Sequence, residues 1–360
     1  MKDVLPGLNN QNIKKIWDIA RILELKRKTE SDFNNVHIIP AISTFRSAEE
    51  FFKSLDDAGF RVDGGFGKLL YISKELGGDR VVFYVFYDES TNISLFITTA
   101  KKSKEIPDVL FKYINHERNI SNLWISPCTM KEIKDDLSGK YEKMMITYFS
   151  ARRGTSTDIK AEIRPEISRS IIYRGLDGKK TLEELEYYYG VLPKILEIKL
   201  PNGVHFKIDN KGIITLNDGR FDEIFKILDY IIEKIITVKN AINESEYKIF
   251  NIGKNKQFRH ALQKPWSVII SRNIDIGSMP KICKSFNSEE WNFTLLESVL
   301  ISGSLLFTAR LIDNYSGTKF DISMIGNRID IFPVDETDIG SSIRFYEFIL
   351  ENIDNSAITG

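Results

Sequence analysis

Gly203-Val-His-Phe-Lys-Ile208 and Gly317-Thr-Lys-Phe-Asp-Ile322 decide how this chain is read. Each alternates polar and apolar residues behind a glycine, the two-residue period of a half-buried strand. Each is followed by a turn, Lys211-Gly212 or Gly326-Asn327, and by a second apolar strand, Ile214 and Leu216 or Ile329 and Ile331. One inserted residue separates the two registers. Beyond them Phe221, Phe225, Leu228, Ile232 and Ile235 align with Ile339, Ile343, Tyr346, Leu350 and Ile353 at the same helical spacing. The pattern predicts one β-β-α unit used twice, over residues 203–235 and 317–353, with a weaker third copy from Asp79 to Ile114.

Residues 11–29 place Ile13, Ile16, Trp17, Ala20 and Leu23 on one helical stripe. Arg46 to Gly59 reads as another helix, with Ser47 as N-cap, Glu50 as its capping-box partner and Gly59 as the stop. Val81–Tyr87 and Ile93–Thr99 are β-branched and aromatic strands around a short polar connection, and a helix is expected around Ile106 to Ile114. The fold class is therefore α+β: antiparallel sheets covered on one side by helices, with repeated β-β-α units. Three domains are expected, 1–138, 139–245 and 246–360, the last two each carrying one copy of the unit. This architecture resembles the saddle of the TATA-binding-protein fold, in which repeated sheet-and-helix units present a concave sheet to DNA.

The composition narrows the function classes. With 360 residues, 42% of them hydrophobic, and only 2 Cys, the chain has enough material for full cores without disulfides or structural metals. Its apolar runs are strand-sized, which predicts no membrane-spanning helix. Its first residues lack a signal-peptide pattern, which makes the reducing cytoplasm the expected location.

Fifty basic and fifty acidic residues cancel, but unevenly along the chain. Gly139 to Lys180 holds ten basic residues against five acidic ones, and Lys254 to Lys284 holds seven against one. Ser285 to Gly360 holds four basic and twelve acidic residues. Two basic stretches precede an acidic end, and like charge gathered on one face attracts phosphate polymers.

Signals for catalysis are sparse. Asp63-Gly-Gly-Phe-Gly-Lys-Leu69 lacks the first glycine and the Ser/Thr of a P-loop, and reads as a turn. The histidines His37, His116, His205 and His260 have no partner at metal-ligand spacing, and no base is implied beside Cys128. Glu197 and Lys199 form a Glu-x-Lys pair on a strand, with Asp177 twenty residues upstream. The trio resembles the Asp…Glu-x-Lys pattern of restriction-endonuclease-fold nucleases. That resemblance implies Mg²⁺ held by Asp177 and Glu197, with Lys199 stabilising developing charge. The alternation Leu196-Glu-Ile-Lys-Leu200 equally describes a hairpin strand with its charges facing solvent.

Binding without chemistry is the favoured reading. Lys254, Lys256, Arg259 and Lys264 lie among amides and Trp266, a mixture that suits phosphates and unstacked bases. Arg152 and Arg153 open a Gly-Thr-Ser stretch that reads as a basic loop, and Arg164 adds to the same charge. The expectation is a non-enzymatic nucleic-acid-binding or accessory protein, using these seven cations on one surface together with Trp266. The alternatives are the Mg²⁺-dependent nuclease and a structural subunit that binds a protein partner or a second copy of itself.

Overall fold

A computed structural model describes residues 13–29, 35–153, 159–252, 258–274, 276–288, 291–301, 306–334 and 338–360. The chain divides into two compact units, Met1–Arg152 with Ser170–Tyr187 and Val191–Glu233, and Arg153–Arg169 with Tyr188–Gly190 and Lys234–Gly360. The expected boundary at 138/139 lies inside the first unit, where strands from both sides of it join one sheet.

The first unit opens with α1 (Ile16–Thr29), β1 (Val36–Ser43) and α2 (Ala48–Asp57). Ser47 caps α2 by accepting from the Glu50 N–H at 3.3 Å, and Glu50 reaches back to the Arg46 N–H at 2.8 Å. Gly59, at φ +80°, turns the chain out of the helix. A meander follows: β2 (Arg61–Phe66), β3 (Leu69–Leu76), β4 (Asp79–Asp88) and β5 (Ile93–Thr98). The glycine-rich stretch is thus strand β2 and the tight hairpin after it, with Gly67 at φ +65°. A π-helical segment, Ile106–Phe111, runs into α3 (Lys112–His116), and β6 (Ile120–Asn122) returns to β1.

Next come α4 (Pro127–Lys140), β7 (Met145–Arg153), β8 (Arg169–Arg174), α5 (Gly178–Tyr189), β9 (Leu192–Lys199), β10 (His205–Asp209), β11 (Ile214–Asp218) and α6 (Phe221–Asn243). One sheet results, in the order β2-β3-β4-β5-β1-β11-β10-β9-β7-β8, with β6 also on β1. Phe51 and Leu55 of α2, Ile106, Val109 and Leu110 of the π-helical segment and Tyr113 of α3 pack with Ile39, Phe83 and Phe96 over one face of the β2–β1 half. In the other half α4 lies against β9. Its Lys134 is only 1% exposed and donates to both carboxylate oxygens of Glu186 on α5, at 2.7 and 2.6 Å. Burial pushes the Glu186 carboxyl above its ordinary pKa, and the Lys134 charge opposes that shift. Such a pair fixes how two helices meet more than it stabilises them.

The second unit holds the ribbon β12 (Glu246–Ile252) and β13 (Phe258–Lys264), then β14 (Trp266–Ile269), α7 (Met279–Phe286), β15 (Phe293–Ile301), β16 (Leu306–Asp313), β17 (Lys319–Ile325), β18 (Arg328–Pro333), α8 (Ile339–Asn352) and β19 (Ile358–Thr359). Its main sheet runs β15-β16-β17-β18-β14-β19, and Phe286, Phe293, Phe320, Phe345 and Phe348 interlock as an aromatic core.

Both segments of the expected repeat form β-β-α, as does the third from β4 through α3. All ten aligned helix positions from Phe221 to Ile235 and from Ile339 to Ile353 are buried. The longer match lies elsewhere. Residues 36–122 run β-α-β-β-β-β-α-β, and 266–359 run through the same series. Their strand orders correspond, β2-β3-β4-β5-β1 with β15-β16-β17-β18-β14, and each closes with a short strand on the far side of the first. The copy whose sequence match is weakest is therefore the fullest structural counterpart of the C-terminal one. Among the described residues no helix is long and apolar enough to cross a membrane.

Candidate functional site

Strand pairing in the first unit puts polar residues opposite one another across six strands. Tyr148 of β7 faces Glu197 of β9, Glu197 faces Lys207 of β10, and Lys207 faces Thr215 of β11. Thr215 then faces His37 of β1, and His37 faces Thr98 of β5. Directly opposed residues share a sheet face, so these six form one row. Their apolar neighbours Leu196, Ile198, Phe206 and Ile208 point to the other face and are fully buried.

The row is open at one end and buried at the other. Ile39 and Phe96, two residues along from His37 and Thr98 on the same face, belong to the core under α2 and the π-helical segment. There His37 is buried, its Nδ1 2.9 Å from Thr215 Oγ1. Burial, aided by the nearby Lys102 charge, lowers its pKa to about 4, so the ring is neutral at physiological pH. Lys102 itself is paired with Asp209.

At the open end the Tyr148 ring lies under two cations, Lys207 Nζ at 4.3 Å from its centroid and the Arg174 guanidinium at 5.6 Å. Partial burial, with help from Lys102, lowers the Lys207 pKa. Beside them Glu197 Oε1 accepts from Thr147 Oγ1 at 3.1 Å and meets His205 Nε2 at 3.0 Å. Lys199 is exposed at the end of β9, and Ile172 on β8 is 71% exposed. The surface thus offers an aromatic ring, three cations, one carboxylate and an apolar side chain.

The Asp177, Glu197 and Lys199 trio is not joined in this way. Asp177 accepts from the Tyr173 hydroxyl, which holds its carboxyl below the ordinary range, whereas Glu197 is engaged by Thr147 and His205. Glu197 and Lys199 face outward from the hairpin while Leu196, Ile198 and Leu200 are buried. Among the described residues no group of three or more His, Cys, Asp or Glu is arranged to hold a metal ion. Cys128 lies in the first turn of α4, and the His37 and His116 rings bond to Thr215 Oγ1 and to the Lys112 carbonyl.

The expected basic surface changes more. Arg153 belongs to β7 rather than to a loop, is 3% exposed, and spends its guanidinium on three carbonyls: Pro165 at 3.0 Å, Ile159 at 2.7 Å and Gly190 at 3.2 Å. It is an internal brace for residues 159–165, because a guanidinium can satisfy several carbonyls of an irregular backbone at once. Trp266 is 3% exposed at the start of β14 and packs inside the second unit. Arg152 lies in β7, Arg164 is exposed at φ +50°, and Lys264 is exposed with Glu244 at 4.0 Å. Lys254 and Lys256 lie outside the described residues, as does the side chain of Arg259.

Reasoning from sequence missed Tyr148, Arg174, His205 and Lys207. Their signal was present in part, since His205 and Lys207 alternate with buried Phe206 and Ile208. A model described as the AF_0896_M family middle domain matches residues 128–211, the stretch that contains all four. An uncharacterized protein of Archaeoglobus fulgidus is 32% identical over 325 residues, spanning 88% of each chain. The chain belongs to that protein's family. In this member the middle-domain stretch supplies the open end of the row, and β1 and β5 supply its buried end.

Proposed function

We propose that this protein is a non-enzymatic, cytoplasmic nucleic-acid-binding or accessory protein that holds a single strand on the open end of the polar row. The carrying observation is the Tyr148 ring on a sheet face, with Lys207 and Arg174 over it. Unstacked bases need a flat ring, phosphates need cations, and a sheet face presents both at the spacing of a strand. Lys199 and the exposed Ile172 extend that surface. The proposal moves the contact from Arg153 and Trp266, both buried, to residues on β7, β8 and β10.

The test is fluorescence anisotropy of labelled single-stranded DNA and RNA over a salt series. Each single-strand phosphate contact contributes about 0.7 to the logarithmic slope. Charge reversal in Arg174→Glu/Lys207→Glu is expected to flatten the slope, and Tyr148→Ala to weaken binding by about 1–3 kcal/mol. Binding that neither variant alters would overturn the proposal.

A further inference from the structure

A second site with different chemistry lies elsewhere in the first unit. Between the start of α1, the β4–β5 connection and α6 is a cavity of about 410 Å³, within the size range of small-molecule sites. Its floor is apolar, formed by buried Phe86, Ile93 and Ile232. Its rim carries Lys14, Lys15 and Lys68, all exposed. Trp17 forms a wall: its indole meets Phe225 edge-on at 6.1 Å, yet the residue is 42% exposed.

That division of labour specifies a ligand. A flat ring can lie on the floor against Trp17, because an indole face stacks on any planar heterocycle. Three lysines at one rim call for several anionic oxygens, since an ammonium binds phosphate as a point charge. Two carboxylates lie in the cavity as well. Asp88 accepts from Ser90 Oγ at 2.8 Å and Thr91 Oγ1 at 3.1 Å and has Lys68 at 4.0 Å, so much of its charge is offset. Asp229 is half-buried beside the floor, placed to accept from an amino group on the ring. Burial and the Glu233 charge raise its pKa.

We infer that this cavity binds a nucleoside polyphosphate, with the base on Trp17 and the apolar floor and the phosphates on Lys14, Lys15 and Lys68. The site is separate from the polar row, and its test does not depend on nucleic-acid binding. The full chain is titrated with ATP, GTP, UTP and inorganic tripolyphosphate by calorimetry, while tryptophan fluorescence is followed. At least one nucleotide is expected to bind saturably at or below about millimolar concentration and quench Trp17, more tightly than tripolyphosphate does. Lys14→Glu/Lys68→Glu alters only exposed side chains and is expected to weaken binding at least about tenfold. Trp17→Leu is expected to abolish the quench and bring nucleotide affinity down to that of tripolyphosphate. Absence of saturable nucleotide binding, equal affinity for tripolyphosphate and nucleotides, or binding unchanged in the lysine variant would each overturn the inference.

Discussion

The N-terminal copy, β1 to β6, and the C-terminal copy, β14 to β19, share connections and strand order but differ in the length of one strand. β1 has eight residues and β14 four. In the C-terminal copy β19 pairs with Val268 and Ile269, half of β14. In the N-terminal copy β6 pairs with Ala41 to Ser43, and β11 takes Val36 to Ile38 on the same edge. The extra strand length therefore recruits the central strands, and with them the polar row. The copies also bury charge differently. His37 sits neutral under the first copy's helices. In the second, Asp313 is fully buried, paired with Arg344 of α8 and accepting from Ser341 Oγ at 2.6 Å. Asp338 caps α8 by accepting from the Ser341 N–H at 2.9 Å and also binds Thr318 Oγ1 at 2.9 Å. One topology thus tolerates a neutral imidazole in one copy and a charged network in the other.

The largest expected effect breaks that network. Arg344→Met leaves the Asp313 carboxylate buried without its cation, which costs about 3–5 kcal/mol. Hydrogen exchange should rise across β16, β17 and α8 and stay unchanged in β1 through β5. Equal change in both copies would show that their interiors are not independent.

His37 gives the next effect, and its sign follows from its lowered pKa. Between the ordinary value of 6.5 and about 4 the unfolded chain binds a proton that the folded one does not. Stability of the first unit therefore falls as pH drops through that window, by at most about 3–4 kcal/mol. Urea midpoints across that range should show the slope in wild type, and His37→Asn should flatten it. A parallel slope in the variant would mean that other groups carry the acid sensitivity.

Ser47→Ala should cost about 1 kcal/mol through the α2 cap. The loss should appear in the melting of the first unit, while exchange in β14 through β19 stays at its wild-type rate.

The Ser47 cap was legible in the sequence because a capping box is local, with every partner within four residues. The strand pairs and the ten buried helix positions were legible for the same reason, since period and spacing are properties of a short window. The polar row was not. His37 and Thr215 are 178 positions apart, and only sheet register brings them together. The length of β1, which makes room for β11, means little until the pairing is known. Arg153 misled the reading because arginine beside Gly-Thr-Ser looks like an exposed loop, whereas the strand continues and turns that side chain toward free carbonyls. Trp266 shows the usual ambiguity of an aromatic among cations, which serves a core as readily as a base.

Ultraviolet cross-linking with peptide mapping can locate the proposed nucleic-acid strand on the open end of the polar row. Single-stranded RNA and DNA containing photoreactive bases are irradiated with the full chain, and the cross-linked peptides are sequenced. Adducts are expected at Tyr148 on β7 and in the peptides carrying Arg174 and Lys207, with competition by excess unlabelled strand. Adducts confined to the second unit, or none that excess strand competes away, would contradict that placement.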